Sequence, residues 1–360
     1  MIYFLVTKRN SQPIKNFLRS CGKHFVDRIT ILYYTNLKVL RNIPEGTFIF
    51  SDFDLLTPAQ REVVKQIFTQ LSERHPHLTL LNDPNKVLLR YDLLKKMYQM
   101  GINRFNVERA SESFHQLRFP VFVREANRHT GSLTPVIHSA EELHKHLRVL
   151  KLLGYDLFDL LIVEYLDVSD DAGVYLKFSA FVLDPRIMPR YLNFSPHWMV
   201  KSTIAPNDLL MESKLFDVQK YMKENPHEAW LRKIFLKAGI TYGRADYSIT
   251  NGELQLWEIN LNPAFVNPPR NPRKDNIQQR AMRNLFYNQF FLELERIDCT
   301  STGQVRLTIS ENVLAKMRTP LFIRVKRGFH ARLVKKKPHY SIMRRLCYSL
   351  VRSWIKLENK

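Results

Sequence analysis

Through the first 80 residues, short runs rich in β-branched and aromatic residues (IYFLV, RITILYY, GTFIF and LTLL) alternate with helix-forming segments. Alternation of this kind restricts a chain to a small, mostly parallel α/β sheet, because parallel neighbours need a crossover connection. One crossover helix is explicit. Thr57 is an N-cap with Gln60 three residues later, Pro58 takes the first helical position, and Val63, Val64, Ile67, Phe68 and Leu71 form one apolar stripe.

Further elements follow. A helix is expected from Lys86 to Met100, stopped by Gly101, then a strand at FPVFV (119–123) and a helix boxed by Ser139 and Glu142. LLIVEYL (160–166) is a buried strand, YLKFSAFVL and RIMPRYLNF a strand pair, and helices are expected over 208–238 and Asp275–Ile297. The chain has 360 residues. Single cores stop growing at roughly 250–300, so two or three subdomains are expected. With 45% apolar and 25% charged residues, global disorder is excluded.

The net charge is +21, which favours anionic partners, but it is unevenly spread. Lys316–Lys360 holds fourteen Lys/Arg against one acid, Glu358, so +13 lies in the tail and +8 in the preceding 315 residues. Cys21, Cys299 and Cys347 lack paired spacing, which argues against a disulfide framework or a zinc site and for a reducing compartment. The opening MIYFLV reads as a first strand rather than a signal peptide, and no run approaches a membrane span. A cytoplasmic protein is expected.

Residues 243–263, GRADYSITNGELQLWEINLNP, put Asp246, Glu258 and Asn260 inside two strands joined at Asn251-Gly252. Register decides what they can do. A strict two-residue turn pairs Thr250 with Glu253 and Asp246 with Trp257, placing the two acids on opposite faces. Only an odd-length turn or a bulge gathers Arg244, Asp246, Glu258 and Asn260 on one face. Converged, their hard oxygens suit Mg²⁺, with Arg244 as a charge partner for phosphate or carboxylate. The alternative is an ordinary solvated hairpin face.

The pattern Asp-x(11)-Glu-Ile-Asn-x-Asn-Pro resembles the metal-binding segment of the ATP-grasp superfamily, which includes D-alanine–D-alanine ligase and glutathione synthetase. The resemblance implies that Asp246, Glu258 and Asn260 bind two Mg²⁺ ions (Mn²⁺ being an alternative) that bridge the phosphates of ATP. LLRYDLLKK (88–96) is similar to a helix presenting a lysine to those phosphates, here Lys95, with Lys86 and Arg90 as substitutes. FPVFVRE (119–125) resembles a strand ending in a phosphate-binding lysine. Arg124 stands there instead, a planar fork in place of a point charge.

The loop EANRHTGSLT resembles the cover over the phosphates. Gly131 is its one glycine, so His129, Thr130, Ser132 and Thr134 would add side-chain donors. LLIVEYLD (160–167) resembles the hinge that grips adenine. Glu164 would accept from the adenine amino group beside the Leu166 backbone, and Asp170 or Asp171 would bind ribose. Lys177 and Arg190 would take the transferred phosphate or the substrate carboxylate, with Arg190 and Arg244 positioning the latter. In NFSPHWMVKS, His197 and Trp198 either line the acceptor site or pack.

The resemblance spans about residues 80–265. It implies an α/β ATP-grasp fold with α+β lobes: an N-terminal pre-ATP-grasp substrate lobe (1–84), ATP-grasp lobes (85–297, hinge near 160–167) and a basic helical C-terminal extension (298–360). The implied activity is an ATP- and Mg²⁺-dependent, ADP-forming ligase that activates a small-molecule or peptide carboxylate as an acyl phosphate for attack by an amine or another nucleophile. Rival readings are a kinase-like phosphotransferase and a non-catalytic binder of nucleic acid or another anionic polymer. Nucleic acid is disfavoured, since no recognised motif with interleaved aromatics appears and the charge sits mainly in the tail. In SIMRRLCYSLVRSWI (341–355) the apolar residues fall on one helical face. Such a helix either lies on an anionic membrane surface, making the protein peripheral, or docks on a protein partner or its own domain.

Overall fold

The computed structural model describes residues 1–129, 131–200, 215–265, 277–299 and 301–318. They form two compact units: Met1–Arg104 with Asp167–Met317, and Phe105–Leu166 with the chain from Arg318 on, of which only Arg318 is described. The expected boundary at 84/85 lies inside the first unit, and the expected hinge at 160–167 spans the 166/167 junction. The basic amphipathic helix expected at 341–355 lies outside the described residues.

The first unit begins with strands β1 (Ile2–Val6), β2 (Ile29–Tyr33), β3 (Ile43–Pro44), β4 (Thr47–Phe50) and β5 (Leu80–Leu81). Four of them make a parallel sheet in the order β2-β1-β4-β5. Every residue of β1 and β4 is buried, the signature of a parallel sheet covered on both faces. Helices α1 (Gln12–Arg19) and α2 (Pro58–Arg74) supply the crossovers. The expected box at Thr57 is formed: Gln60 N donates to Thr57 Oγ1 at 3.3 Å, and Thr57 N donates to Gln60 Oε1 at 3.1 Å. Helix α3 (Arg90–Gln99) starts later than Lys86, because the amides of Lys86 and Val87 bond the Asp83 carbonyl in a turn and the Leu88 amide bonds Ala238 O.

In the second unit β6 (Val107–Arg109), β7 (Val121–Glu125) and β8 (Leu160–Glu164) form an antiparallel sheet in the order β6-β8-β7. Helix α4 (Ala140–Leu152) starts at Ser139, whose side chain accepts from Glu142 N. Its Leu143, Leu147 and Leu150 join Val121, Val123, Leu160 and Ile162 in a core of their own.

The first unit resumes with β9 (Tyr175–Leu183), β10 (Arg186–Ser195), β11 (Tyr242–Thr250) and β12 (Glu253–Asn260), antiparallel in the order β10-β9-β11-β12. Helices α5 (Leu215–Glu224), α6 (Glu228–Ala238) and α7 (Ile277–Ile297) follow in the chain, and α5 and α7 lie against β10. The last elements are β13 (Gln304–Val305), paired with β3, and α8 (Glu311–Lys316). The two four-stranded sheets of this unit share one core, with the Phe4 ring edge-on to Tyr242 at 5.6 Å. Asn82 fastens them. Its Nδ2 donates to Phe50 O (3.1 Å) and Tyr242 O (2.8 Å), and its Oδ1 accepts from the amides of Thr241 (3.0 Å) and Tyr242 (2.9 Å).

Candidate active site

The hairpin combines a two-residue turn with a bulge, so the strict two-residue register is not kept. The turn is the two-residue kind, Thr250 pairing with Glu253 across Asn251 and Gly252, both at positive φ (49° and 75°). The register then shifts between Asp246 and Tyr247: Tyr247 pairs with Leu256, whereas Asp246 pairs with Glu258, so Trp257 is the extra residue of a β-bulge. Arg244 pairs with Asn260. Arg244, Asp246, Glu258 and Asn260 therefore share one face.

On the next strand Ser179 is opposite Asp246, and its Oγ donates to Asp246 Oδ1 at 2.8 Å. Lys177 Nζ reaches Asp246 Oδ2 at 3.2 Å, and Arg244 Nε donates to Asp246 Oδ1 at 2.9 Å. Burial alone would raise the Asp246 carboxyl, but Arg244 and Lys177 outweigh it and hold it below the usual carboxylate value. Burial would likewise lower both cations, and Asp246 keeps each of them raised. Glu258 has its own partner: Arg90, the first residue of α3, donates from Nη2 to Glu258 Oε2 at 2.8 Å. Asn260 Oδ1 accepts from Asn262 N at 2.9 Å.

Arg190 is the residue at which β10 breaks register against β9. Its guanidinium is buried over the rings of Tyr191, Phe286 and Tyr287, with Nη2 donating to Phe265 O at 2.8 Å. Burial lowers its basicity. Arg244 stands over the same Tyr191 ring at 5.3 Å, so the two arginines flank one tyrosine. Lys95 lies half-buried on α3. Asp170 holds a turn, its Oδ1 accepting from the amides of Ala172 and Val174, while Asp171 is exposed. His197 is exposed and Trp198 half-buried.

The remaining predicted residues belong to the second unit. Arg124 is half-buried on β7, opposite Leu161. Glu164, at the end of β8, accepts from the amides of Asn106 (2.9 Å) and Arg118 (2.7 Å) and from Arg118 Nη2 (2.7 Å). Burial would raise its carboxyl, but these donors win and lower it. Both its oxygens are thus engaged within the unit, and an adenine amino group would compete with Arg118 for them. Leu166 is half-buried just beyond. In the loop, Ser132 Oγ bonds Val123 O and Thr134 O, and Thr134 Oγ1 accepts from Val123 N, so these hydroxyls anchor the loop to β7. His129 is exposed, and Thr130 lies outside the described residues.

Two contributors escaped the sequence reading in part. Arg90 was a substitute for Lys95, and the structure brings it to Glu258 instead. The hydrogen-bonded series behind Asp246 was not anticipated: His227 Nδ1 meets Tyr247 Oη (3.0 Å), which bonds Tyr221 Oη (3.1 Å), which donates to Ser179 O (2.8 Å). Tyr221 lies on α5, His227 just before α6, Tyr247 on β11 and Ser179 on β9, and no local motif joins them.

No family model and no curated protein matches the sequence. Solved structures do. D-alanine–D-alanine ligase from Bacillus anthracis complexed with ATP is 11% identical, with 82% of this chain and 99% of that one covered at a TM-score of 0.44. The Coxiella burnetii D-alanine–D-alanine ligase is 14% identical (82% and 94% covered, TM-score 0.46). A RimK domain ATP-grasp protein from Sphaerobacter thermophilus DSM 20745 is 11% identical (79% and 98% covered, TM-score 0.41). At these identities and TM-scores the likeness carries nothing about chemistry, which rests on this chain's own side chains.

Proposed function

We propose that the chain is an ATP- and Mg²⁺-dependent ligase that activates a carboxylate as an acyl phosphate for attack by an amine or another nucleophile. One observation carries this reading: the bulge at Trp257 that turns Asp246, Glu258 and Asn260 to the face bearing Arg244 and Lys177. An incidental polar hairpin face has no reason to bury Asp246 and Asn260 among cations.

The donor set fits a metal–triphosphate complex better than a bare cation. Arg90, Lys177, Arg190 and Arg244 outnumber Asp246 and Glu258, so the cluster has two more positive than negative side chains. Such a site repels a lone divalent ion but accepts one carried by an anion. When bound, the metal ions neutralise charge on the phosphates and on the phosphoryl group in transfer. Asp246, Glu258 and Asn260 supply the oxygens for them. Lys177 and Lys95 hold phosphate oxygens, and Arg124 is proposed for the same role on the resemblance of FPVFVRE alone. Arg190 and Arg244 orient the acceptor carboxylate as a pair, and the aromatic surround of Arg190 limits water there, which an acyl phosphate requires.

The test is an ADP-release screen over pooled carboxylates and amines with Mg²⁺, using Glu258→Gln as the blank. Release above the blank with at least one pool is expected. No release with any pool, together with no binding of Mg·ATP to the wild-type chain, overturns the proposal.

A further inference from the structure

A second polar cluster in the first unit has a different character. Glu45, in the short link between β3 and β4, faces His75 and His77 at the end of α2. One carboxylate oxygen and one ring nitrogen from each histidine lie within 4.8 Å of one another. His77 Nε2 is 2.9 Å and His75 Nδ1 3.9 Å from the same oxygen, Oε1. Around a tetrahedral zinc ion with bonds of about 2.0–2.2 Å, ligand atoms stand roughly 3.3 Å apart. The two nitrogen–oxygen separations bracket that value, and the two ring nitrogens, within 4.8 Å of each other, have to close to it by side-chain rotation.

The surroundings are built for such a ligand. The other carboxylate oxygen, Oε2, accepts from Ser301 Oγ at 2.5 Å, which turns Oε1 toward the imidazoles. Ligating carboxylates ordinarily have an outer partner of this kind. The backbone makes room as well. A Cβ on Gly303 would stand 2.5 Å from Glu45 Oε2, and Gly303 O accepts the Glu45 amide at 3.0 Å. The side chain of His75 is only 15% exposed, whereas that of His77 is 58% exposed, leaving an open side for water as the fourth ligand.

We propose that Glu45, His75 and His77 form a binding site for zinc or a similar divalent transition metal. Two imidazole nitrogens and a carboxylate suit that class and not Mg²⁺ or Ca²⁺, which take oxygen. Cysteine spacing speaks only to thiolate-ligated zinc and leaves an imidazole–carboxylate site open. A bound ion ties together the link before β4, the end of α2 and, through Ser301, the segment entering β13. It is separate in residues and in chemistry from the proposed ATP site.

Full-length protein stripped with a chelator is titrated with zinc by calorimetry, alongside His75→Ala/His77→Ala and Glu45→Gln. One zinc per wild-type chain is expected, bound about 30-fold or more tightly than by the double variant. A thermal midpoint that rises with zinc in the wild type alone is also expected. Cobalt should give the visible absorption of a tetrahedral ion in the wild type and lose it in His77→Ala, which alters an exposed side chain and leaves the fold intact. The chain has 12 histidines, so equal zinc affinity and stoichiometry in the double variant would place binding elsewhere and overturn the proposal. No binding to the wild type would overturn it too. Neither result bears on ADP release.

Discussion

Replacing Glu258 tests two properties of one carboxylate. Its side chain is 13% exposed and that of its partner Arg90 only 4%, at 2.8 Å. Removing one member of a buried pair strands the other, at about 3–5 kcal/mol. Glu258 keeps some contact with water and Arg90 has other interactions, so Glu258→Ala belongs at the low end, about 3 kcal/mol. For a body of this size that lowers Tm by roughly 6–12 °C. Glu258→Gln keeps an oxygen for Arg90 and should lose only about 1 kcal/mol. On turnover the two should be alike, because an amide is a poor substitute for a metal-binding carboxylate. ADP release should fall at least about 100-fold in both. Thermal and urea unfolding, measured beside ADP release, separate the effects, and Arg90→Met added to Glu258→Ala should recover part of the stability. Wild-type stability in Glu258→Ala would refute the buried pair. Wild-type ADP release in Glu258→Gln would refute the metal role.

Other outcomes follow from the geometry. Because the folded-state value of the Glu164 carboxyl is lowered, its contribution to stability is present above the unfolded value of about 4.3 and is lost as pH falls through the folded one. Glu164→Gln should therefore be less stable at pH 7 and lose less on acidification below about pH 4.3, by circular dichroism; an acid limb as steep as wild type would show that Arg118 does not hold this carboxylate. Arg124→Lys should keep partial ADP release, down by about tenfold, the size of one weakened contact; complete loss would show that the planar fork is needed. Truncation to test tail binding to anionic vesicles should fall after Arg318, because Met317 is buried and its carbonyl accepts from Gln60 Nε2 at 3.1 Å. Equal co-sedimentation of full-length and truncated protein would rule out a membrane role for the tail.

The α/β alternation, the Thr57 box and the hairpin were legible because each is local: a period, a cap or a turn dipeptide. The bulge was legible too, although only as an alternative. Its signal is a change of phase: Leu254 and Leu256 are apolar at even positions, Ile259 and Leu261 at odd ones. Their partners Ile249, Tyr247 and Ala245 all lie on one face of β11, which an unbroken ladder could not satisfy. Arg90 against Glu258, and Arg118 on Glu164, were not legible, since each joins segments 168 or 46 residues apart. Charge type says that such residues want partners, and only the fold says which.

The asparagine at position 82 has a practical consequence for anyone hoping to exchange the N-terminal segment for that of another protein. A graft joined at 84/85 would have to reproduce a residue in the left-handed region (φ 63°) whose four bonds reach the backbone at Phe50 and at Thr241–Tyr242. Without it, the amides at 241 and 242 would face a foreign surface. On the proposed ligase reading, acceptor preference is therefore better altered by changing side chains in place than by swapping the whole front end.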